Sequence, residues 1–511
     1  MIKQVSTFQA NNKRIAKNTL LLYFRMILMM GVSLYTVRIV LNVLGIVDYG
    51  IYNVVGGIVT MFSFLSGTMA TASQRFFAFE LGRKNYDQLK KTFSMTMTIY
   101  VLIGIVIFIL AETVGLWFLN NKMTIPVERM EAANWIYQFA ILSFMVTMFG
   151  VPYNAAIIAH ERMNIYAYMS IIEASLKLTI VYILLVTTFD KLKLYAILIF
   201  IVTTLITFIC KIYCRIKFDE CRFKFYWSKS LFKEIVNYSG WNLFGALANV
   251  FNNQGVSIML NIFFGPIVNA ALAIAFQVNS SINQFVQNFI IAVRPQITKY
   301  YASGQKEQML KLILQSSKFS FLLLFIITMP VLLETHFVFT LWLKKTPEYV
   351  ISFTRFIIIS TLIDTLSYPL MAAAQATGKI KRYQATVGGV MLLNLPLSYL
   401  FLRLGYPSYI IFVLGIFNSI TCLLLRLFLL KKMISLQFVS YFNFVIIPIT
   451  LSSFFSYLIP CFIFINFDES ILRFLVNGFV GLLVSLFVIY ILGLSKNEKN
   501  YIVEVIKRII Y

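Results

Sequence analysis

The sequence predicts an all-α polytopic membrane protein of about 14 transmembrane helices, arranged as two parallel six-helix repeats followed by two further helices. Three observations carry this prediction. The 511 residues are 59% hydrophobic and only 13% charged, too few charges to clothe a soluble core of this size. Apolar stretches of roughly 20 residues, each enough to cross about 30 Å of hydrocarbon, recur along the whole chain. Landmarks of the first half return in the second, in the same order, at offsets of 217 to 225 residues.

The duplication is the most specific of the three. Leu41-Asn42-Val43-Leu44-Gly45 recurs as Leu260-Asn261-Ile262-Phe263-Phe264-Gly265, and Arg75 followed by Gly82 as Arg294 followed by Gly304. Glu112-Thr113 with Trp117 recurs as Glu334-Thr335 with Trp342, and Pro152 followed by Ala155-Ala156 as Pro369 followed by Ala372-Ala373. Matches of Ala and Leu alone would be expected from composition, but ordered Pro, Gly, Arg and Glu-Thr landmarks are not. A period this long marks a duplicated domain and not a solenoid.

The spans follow in order at 17–43, 50–74, 92–118, 132–158, 165–187 and 194–216 in the first copy. The second copy has 237–262, 268–293, 311–335, 350–376, 384–403 and 408–430, and a last pair lies at 441–465 and 471–493. The organisation expected is a bundle at 1–216, a cytoplasmic linker at 217–236, a second bundle at 237–432, the extra pair at 433–494 and a tail at 495–511. In the tail Ile502, Val505, Ile506, Ile509 and Ile510 share a stripe opposite Lys507 and Arg508, as in a helix lying on a membrane surface. The linker around Phe225, Trp227, Phe232 and Ile235 reads the same way.

Charge supports this order. With a cytoplasmic N-terminus, 32 Lys and Arg fall on cytoplasmic segments, 9 on the other face and three inside helices. That is the asymmetry expected of inward-facing loops, and it puts both termini in the cytoplasm. The net charge of +24 is spread loop by loop, which suits an anionic lipid surface and excludes a nucleic-acid groove. Only two histidines (His160, His336) occur, and Cys210 and Cys214 lack His neighbours, so no metal site is expected and no disulfide is implied. No GxxxxGK[ST] loop is present, and no outward loop is long enough for a catalytic domain. The reading is therefore a transporter and not an enzyme, without a resident cofactor.

A repeat with an even number of helices inserts both copies in one orientation, which suits alternating access to a central site. Polar side chains inside spans mark its walls. Gln277, Ser281, Gln284 and Asn288 recur at i, i+4, i+7 and i+11, and the preceding helix adds Asn252 and Asn253 beside Asn249 and Gln254. So many amides exceed what helix packing needs and point to a watery, sugar-tolerant cavity. Charges inside spans are costly and rank as site candidates. Arg25, Lys177 and Arg355 are candidate cations, and Glu173 and Asp364 candidate acids for a coupling H⁺ or Na⁺. Glu173 and Lys177 are four apart and can pair; Arg355 and Asp364 are nine apart, nearly on opposite faces. Glu112 and Glu334 read as caps at the bundle rim, and Arg75 and Arg294 as surface anchors.

Four stretches resemble a family. They are Leu44-Gly45-Ile46-Val47-Asp48-Tyr49-Gly50-Ile51-Tyr52, the helix end Ala72-Ser73-Gln74-Arg75 running to Glu80-Leu81-Gly82, Val151-Pro152-Tyr153-Asn154, and Ala372-Ala373-Ala374-Gln375-Ala376-Thr377-Gly378. With these the chain resembles polysaccharide flippases of the Wzx type, in the multidrug/oligosaccharidyl-lipid/polysaccharide exporter superfamily. The resemblance implies a MATE-like fold in a bacterial inner membrane. It implies movement of an undecaprenyl-pyrophosphate-linked oligosaccharide from the cytoplasmic to the outer leaflet, with glycan polymerase or export proteins as partners. Drug exporters of this superfamily usually have twelve spans and polysaccharide flippases fourteen, so the extra pair favours the flippase; in peptidoglycan-precursor relatives such a pair borders a groove for the lipid tail. Arg25, Lys177 or Arg355 would then meet the pyrophosphate. The alternatives are a drug or organic-cation antiporter of the same fold and, behind it, a membrane glycan polymerase or acyltransferase.

Overall fold

The computed structural model describes residues 2–60, 63–123, 125–343, 348–496 and 498–500. These are helical nearly throughout, with no strand among them. Contacts divide the chain into two compact units, Met1–Leu243 with Thr298–Gly304 and Phe244–Ile297 with Gln305–Tyr511.

The first unit begins with α1 (Ile2–Thr60), whose helical path is broken at Gly45 by φ 78° and ψ 168°. This conformation is essentially open to glycine alone, and it separates the first two spans. α2 (Ser63–Arg83) is followed by α3 (Tyr86–Leu110), a π turn at Ala111–Gly115 and α4 (Leu116–Lys122). α5 (Met130–Ala159), α6 (Met163–Val186) and α7 (Lys191–Lys217) complete the set. α5 packs on α7 and α2, and α6 on α1 and α7. Arg129, just before α5, ties this end of the unit together: it pairs with Asp48, beyond the Gly45 corner, and with Asp190 at 2.8 Å. Asp190 also caps α7 by accepting from the backbone N–H groups of Leu192 and Lys193. Burial raises the Asp190 carboxyl, but these N–H donors and Arg129 outweigh it and hold the group below its ordinary value.

The second unit takes up α8 (Lys229–Phe264) from Phe244 and α9 (Pro266–Ala302) as far as Ile297. It continues through α10 (Lys306–Leu333), α11 (Thr335–Leu343), α12 (Val350–Thr377), α13 (Lys381–Arg403) and α14 (Ile410–Ile434). α15 (Phe438–Tyr441), α16 (Ile447–Asn466) and α17 (Ile471–Val488) form the extra pair, which packs on α10. The last turn of α9 belongs to the first unit. There Lys299 Nζ lies 2.6 Å from the buried Glu161, which also binds Arg14 at 2.6 Å. Gly82 allows this approach, since a Cβ there would meet Lys299 O at 2.7 Å.

The duplication is visible in geometry. Gly265 has φ 80°, matching Gly45, and Pro152 and Pro369 both lie inside their helices. α5 with α7, α6 with α7 and α3 with α5 pack in the first unit as α12 with α14, α13 with α14 and α10 with α12 do in the second. Thr113 and Thr335 each donate to the carbonyl four residues back at 2.6 Å, where the helix turns π in one copy and breaks in the other. Such back-bonding bends helices.

Two expectations are refined. Among the described residues, eleven of the expected spans are long and apolar enough to cross a membrane by composition. The other three expected spans fall on 46–60 with α2, on α8 and on α9; the first is interrupted by undescribed residues 61–62, and the other two carry the amides that lower their hydropathy. The linker is also not one surface helix. Residues 223–228 belong to no regular element, and Lys229 already opens α8, with Ser228 Oγ accepting from Leu231 N. The segment is pinned by Glu220, which lies 2.5 Å from His160, while the His160 ring stacks on Phe218 at 4.0 Å. Burial raises the Glu220 carboxyl, and the His160 contact more than reverses this, leaving it below its ordinary value. The amphipathic stripe at 502–510 lies outside the described residues.

Candidate substrate cavity

A cavity of about 440 Å³ opens within the second unit, walled by α8, α9, α12, α13 and α14. Seven asparagines line it: Asn249, Asn252, Asn253, Asn279, Asn283, Asn394 and Asn418. Their amides are held in place by one another and by hydroxyls. Asn394 Nδ2 donates to Asn252 Oδ1 at 3.0 Å, and Asn253 Nδ2 to Asn249 Oδ1 at 2.9 Å. Thr361 Oγ1 donates to Asn279 Oδ1 at 2.8 Å, and Asn283 and the Tyr368 hydroxyl lie 3.3 Å apart. Asn394 Oδ1 is buried with no hydrogen-bond donor among the described residues.

The cavity contains one acid and one base. Asp364 on α12 interacts with Arg426 on α14 and with the Ser419 hydroxyl, which is itself 3.1 Å from Ser360. Arg426 is buried and donates to Ser367 Oγ at 3.1 Å and Tyr383 Oη at 3.2 Å. Fixed donors and acceptors, with one carboxylate and one guanidinium of opposite sign in the wall, suit a neutral polyhydroxylated ligand, whose lost water contacts they replace. Phe276, Phe356 and Phe412 supply apolar faces between the amides.

The residues expected from sequence divide. Asn252, Asn253 and Asp364 line the cavity. Gln277, Ser281, Gln284 and Asn288 do not; Ser281 and Asn288 donate back to their own helix, to Gln277 O and Gln284 O. The lining stripe of α9 is Phe276, Asn279, Ser280 and Asn283, one residue out of phase. Lys177 pairs with Glu173 at 2.6 Å in the first unit, and Arg25 there donates to Ser170 Oγ at 2.6 Å and lies over the Tyr166 ring. Arg355 donates to Thr335 Oγ1 at 3.1 Å and supports the break before α11. Gln138, its counterpart in the first copy, reaches Glu112 at 3.1 Å, a different partner, since Glu112 corresponds to Glu334. Glu334 is instead buried between Arg473 at 2.7 Å and Asn477 at 3.0 Å, holding α17. Arg426 and Asn394 were not singled out by sequence. Arg426 was legible as an ionisable residue inside a span, but Lys431 and Lys432 behind it make it read as an inner-end charge.

Comparison with known proteins was made against this geometry. A family model described as polysaccharide biosynthesis protein matches residues 15–301, more than half of the chain. A second, MatE, matches residues 243–400 and so spans much of the cavity wall. No curated protein matches. Among solved structures, a multidrug resistance MATE family transporter of the MOP superfamily in an outward-facing conformation is similar with a TM-score of 0.70. It is 13% identical, over 82% of this chain and 96% of that one. A MATE structure in the bent conformation gives 0.71 at 12% identity, over 84% and 97%. A MOP superfamily transporter from Pyrococcus furiosus, described as having a binding pocket of reversed polarity, gives 0.65 at 12%, over 82% and 96%. At these identities the structures establish the shared fold.

Proposed function

Because the chain belongs to the polysaccharide biosynthesis family of the multidrug/oligosaccharidyl-lipid/polysaccharide exporter superfamily, a multi-pass membrane transporter, we propose that it flips a lipid-linked oligosaccharide. The cargo is an undecaprenyl-pyrophosphate-linked glycan, moved from the cytoplasmic to the outer leaflet of a bacterial inner membrane. Both termini lie in the cytoplasm, and glycan polymerase or export proteins take over the product. The observation that carries this reading is the cavity of seven asparagines, with Asp364 and Arg426 supplying opposite charges in its wall. A glycan head cannot cross hydrocarbon without replacing its water hydrogen bonds, and amide side chains offer both donors and acceptors for its hydroxyls. The lipid tail stays in the bilayer, so the protein lowers a solvation barrier and makes no covalent bond.

The pyrophosphate needs a cation without a carboxylate of its own. Lys177 has Glu173, whereas Arg25 and Arg355 form no ion pair with a carboxylate among the described residues. Arg25 and Arg355 are therefore the favoured pyrophosphate contacts. Asp364 is the favoured site for H⁺ or Na⁺ coupling, since protonation or Na⁺ would remove its negative charge from the wall that also holds Arg426 and so change the polarity of the cavity.

The second reading, an organic-cation antiporter, draws on the MatE match across 243–400 and on the same Asp364. The test is leaflet sidedness of lipid-linked oligosaccharide in inverted and right-side-out vesicles from cells lacking the gene. Cytoplasmic-leaflet accumulation that wild type clears and Asn252→Leu/Asn394→Leu does not is the expected result. Normal sidedness with altered resistance to cationic drugs would give the assignment to the antiporter.

A further inference from the structure

Gln254 and Asn269 have no part in the cavity above, yet they wall another in the same unit. It has a volume of about 300 Å³ and lies between α8 and α9, on the Gly265 side of the first. Asn253 and Phe276 line both, so the two cavities follow one another along the helix hairpin with a shared wall. None of the residues lining the second is ionisable, whereas the first holds Asp364 and Arg426. The polar groups of the second are fixed without being saturated. Ser257 Oγ donates to Asn269 Oδ1 at 2.9 Å, which anchors that amide across the hairpin and leaves its Nδ2 without an acceptor among the described residues. Asn253 Nδ2 donates to Asn249, while Asn253 Oδ1 accepts nothing among the described residues. The Gln254 side chain is exposed and makes no hydrogen bond among the described residues.

Amides that serve helix packing pair with one another, as Asn394 does with Asn252. Unpaired amides at membrane depth are costly in hydrocarbon and are tolerated where water or a ligand reaches them. Half-buried Phe276 adds an aromatic ring at the junction, a surface on which the C–H face of a pyranose can lie. A neutral sugar meets every group: its hydroxyls accept from Asn269 Nδ2 and Gln254 Nε2 and donate to Asn253 Oδ1 and Gln254 Oε1. A phosphate or a sugar acid finds no cation in this wall, and an organic cation finds no carboxylate. The volume is at the small end of ligand pockets, so this cavity extends the first and does not duplicate it.

We infer that this cavity is a second sugar subsite: the glycan held in the first cavity continues past Phe276 and places a neutral sugar between α8 and α9. On the glycan reading above, on which the subsite rests, the protein then favours cargo of several sugars over cargo of one. The test compares two cargoes in cells that lack the chromosomal gene and carry it on a plasmid. One is the cells' own complete lipid-linked oligosaccharide; the other is the same lipid bearing its first sugar alone, made by removing the later glycosyltransferases. Clearance of each from the cytoplasmic leaflet is followed in inverted vesicles. Wild type is expected to clear the complete cargo about fivefold faster, the worth of one hydrogen-bonding group. Gln254→Leu/Asn269→Leu is expected to clear both at the rate of wild type on the single sugar. Gln254→Leu alone, which breaks no hydrogen bond among the described residues, is expected to narrow the preference without lowering Tm. Gln284→Leu removes an exposed amide of α9 that lines neither cavity, and is expected to keep the preference. Equal clearance of the two cargoes by wild type, a double variant that keeps the preference, or a Gln284→Leu protein that loses it would overturn the subsite and leave the flippase reading standing. Wild-type protein that clears neither cargo would overturn that reading and the subsite with it.

Discussion

Replacing Glu334 by alanine tests whether the extra helix pair is joined to the second unit by a buried charge. Glu334 is 1% exposed and Arg473 is 9% exposed, and the carboxylate also accepts from Asn477 at 3.0 Å. Removing one partner of a buried pair costs about 3–5 kcal/mol, because the other charge is left behind. Arg473 retains Phe467 O at 2.8 Å and the Phe464 ring at 4.8 Å, so Glu334→Ala belongs at about 3 kcal/mol, the low end of that range. Arg473→Leu strands Glu334 with Asn477 alone and belongs near the upper end, about 5 kcal/mol. The double variant Glu334→Leu/Arg473→Leu removes both charges and is expected to be more stable than either single one. Thermal unfolding of the detergent-solubilised proteins, read by size-exclusion chromatography after heating, completes the cycle. Additive losses, with the double variant the least stable, would refute the argument that the two residues act as one buried pair.

Three further outcomes are expected. Gly45→Ala should destabilise by about 1–3 kcal/mol although nothing lies within 4 Å of the new Cβ, since its cost is backbone conformation alone; an unchanged Tm would contradict this. Gly82→Val should lower both stability and transport by forcing apart α2 and the last turn of α9, and an engineered cysteine at 299 should become more reactive to thiol reagents in that background. The Asp190 carboxyl, held below its ordinary value, contributes stability in full above the usual carboxylate range. That contribution is lost as pH falls through the depressed value, below about pH 4. Asp190→Asn should therefore cost stability at neutral pH and show a shallower loss on acidification; parallel acid profiles for the two proteins would count against it.

Much of the architecture was readable because membrane insertion constrains it so strongly. Long apolar runs, glycine corners and prolines at repeat-related places leave few other folds. Where the reading failed, a tertiary partner decided the outcome. Residues 277–288 of α9 are polar around much of the helix, so periodicity alone could not choose between the 277/281/284/288 stripe and the one at 279/283. Thr361 and Tyr368 on α12 make that choice by bonding Asn279 and Asn283. The opposite orientation of Arg355 and Asp364 did follow from their nine-residue separation: Asp364 lines the cavity, and Arg355 turns to Thr335. Asn394 comes from a helix far along the chain, and nothing near it in sequence marks it as the partner of Asn252.

The Gly45 and Gly265 corners and the back-bonding of Thr113 and Thr335 recur in both copies, whereas Asp364 has Thr147 as its counterpart. Mechanical joints and chemical specificity are thus written at different positions of the same duplicated plan. A relative could exchange one cargo for another by substituting cavity-facing residues in a single half, leaving every hinge untouched. Selection for new surface sugars would then operate on a handful of asparagines without putting the folding of the membrane scaffold at risk.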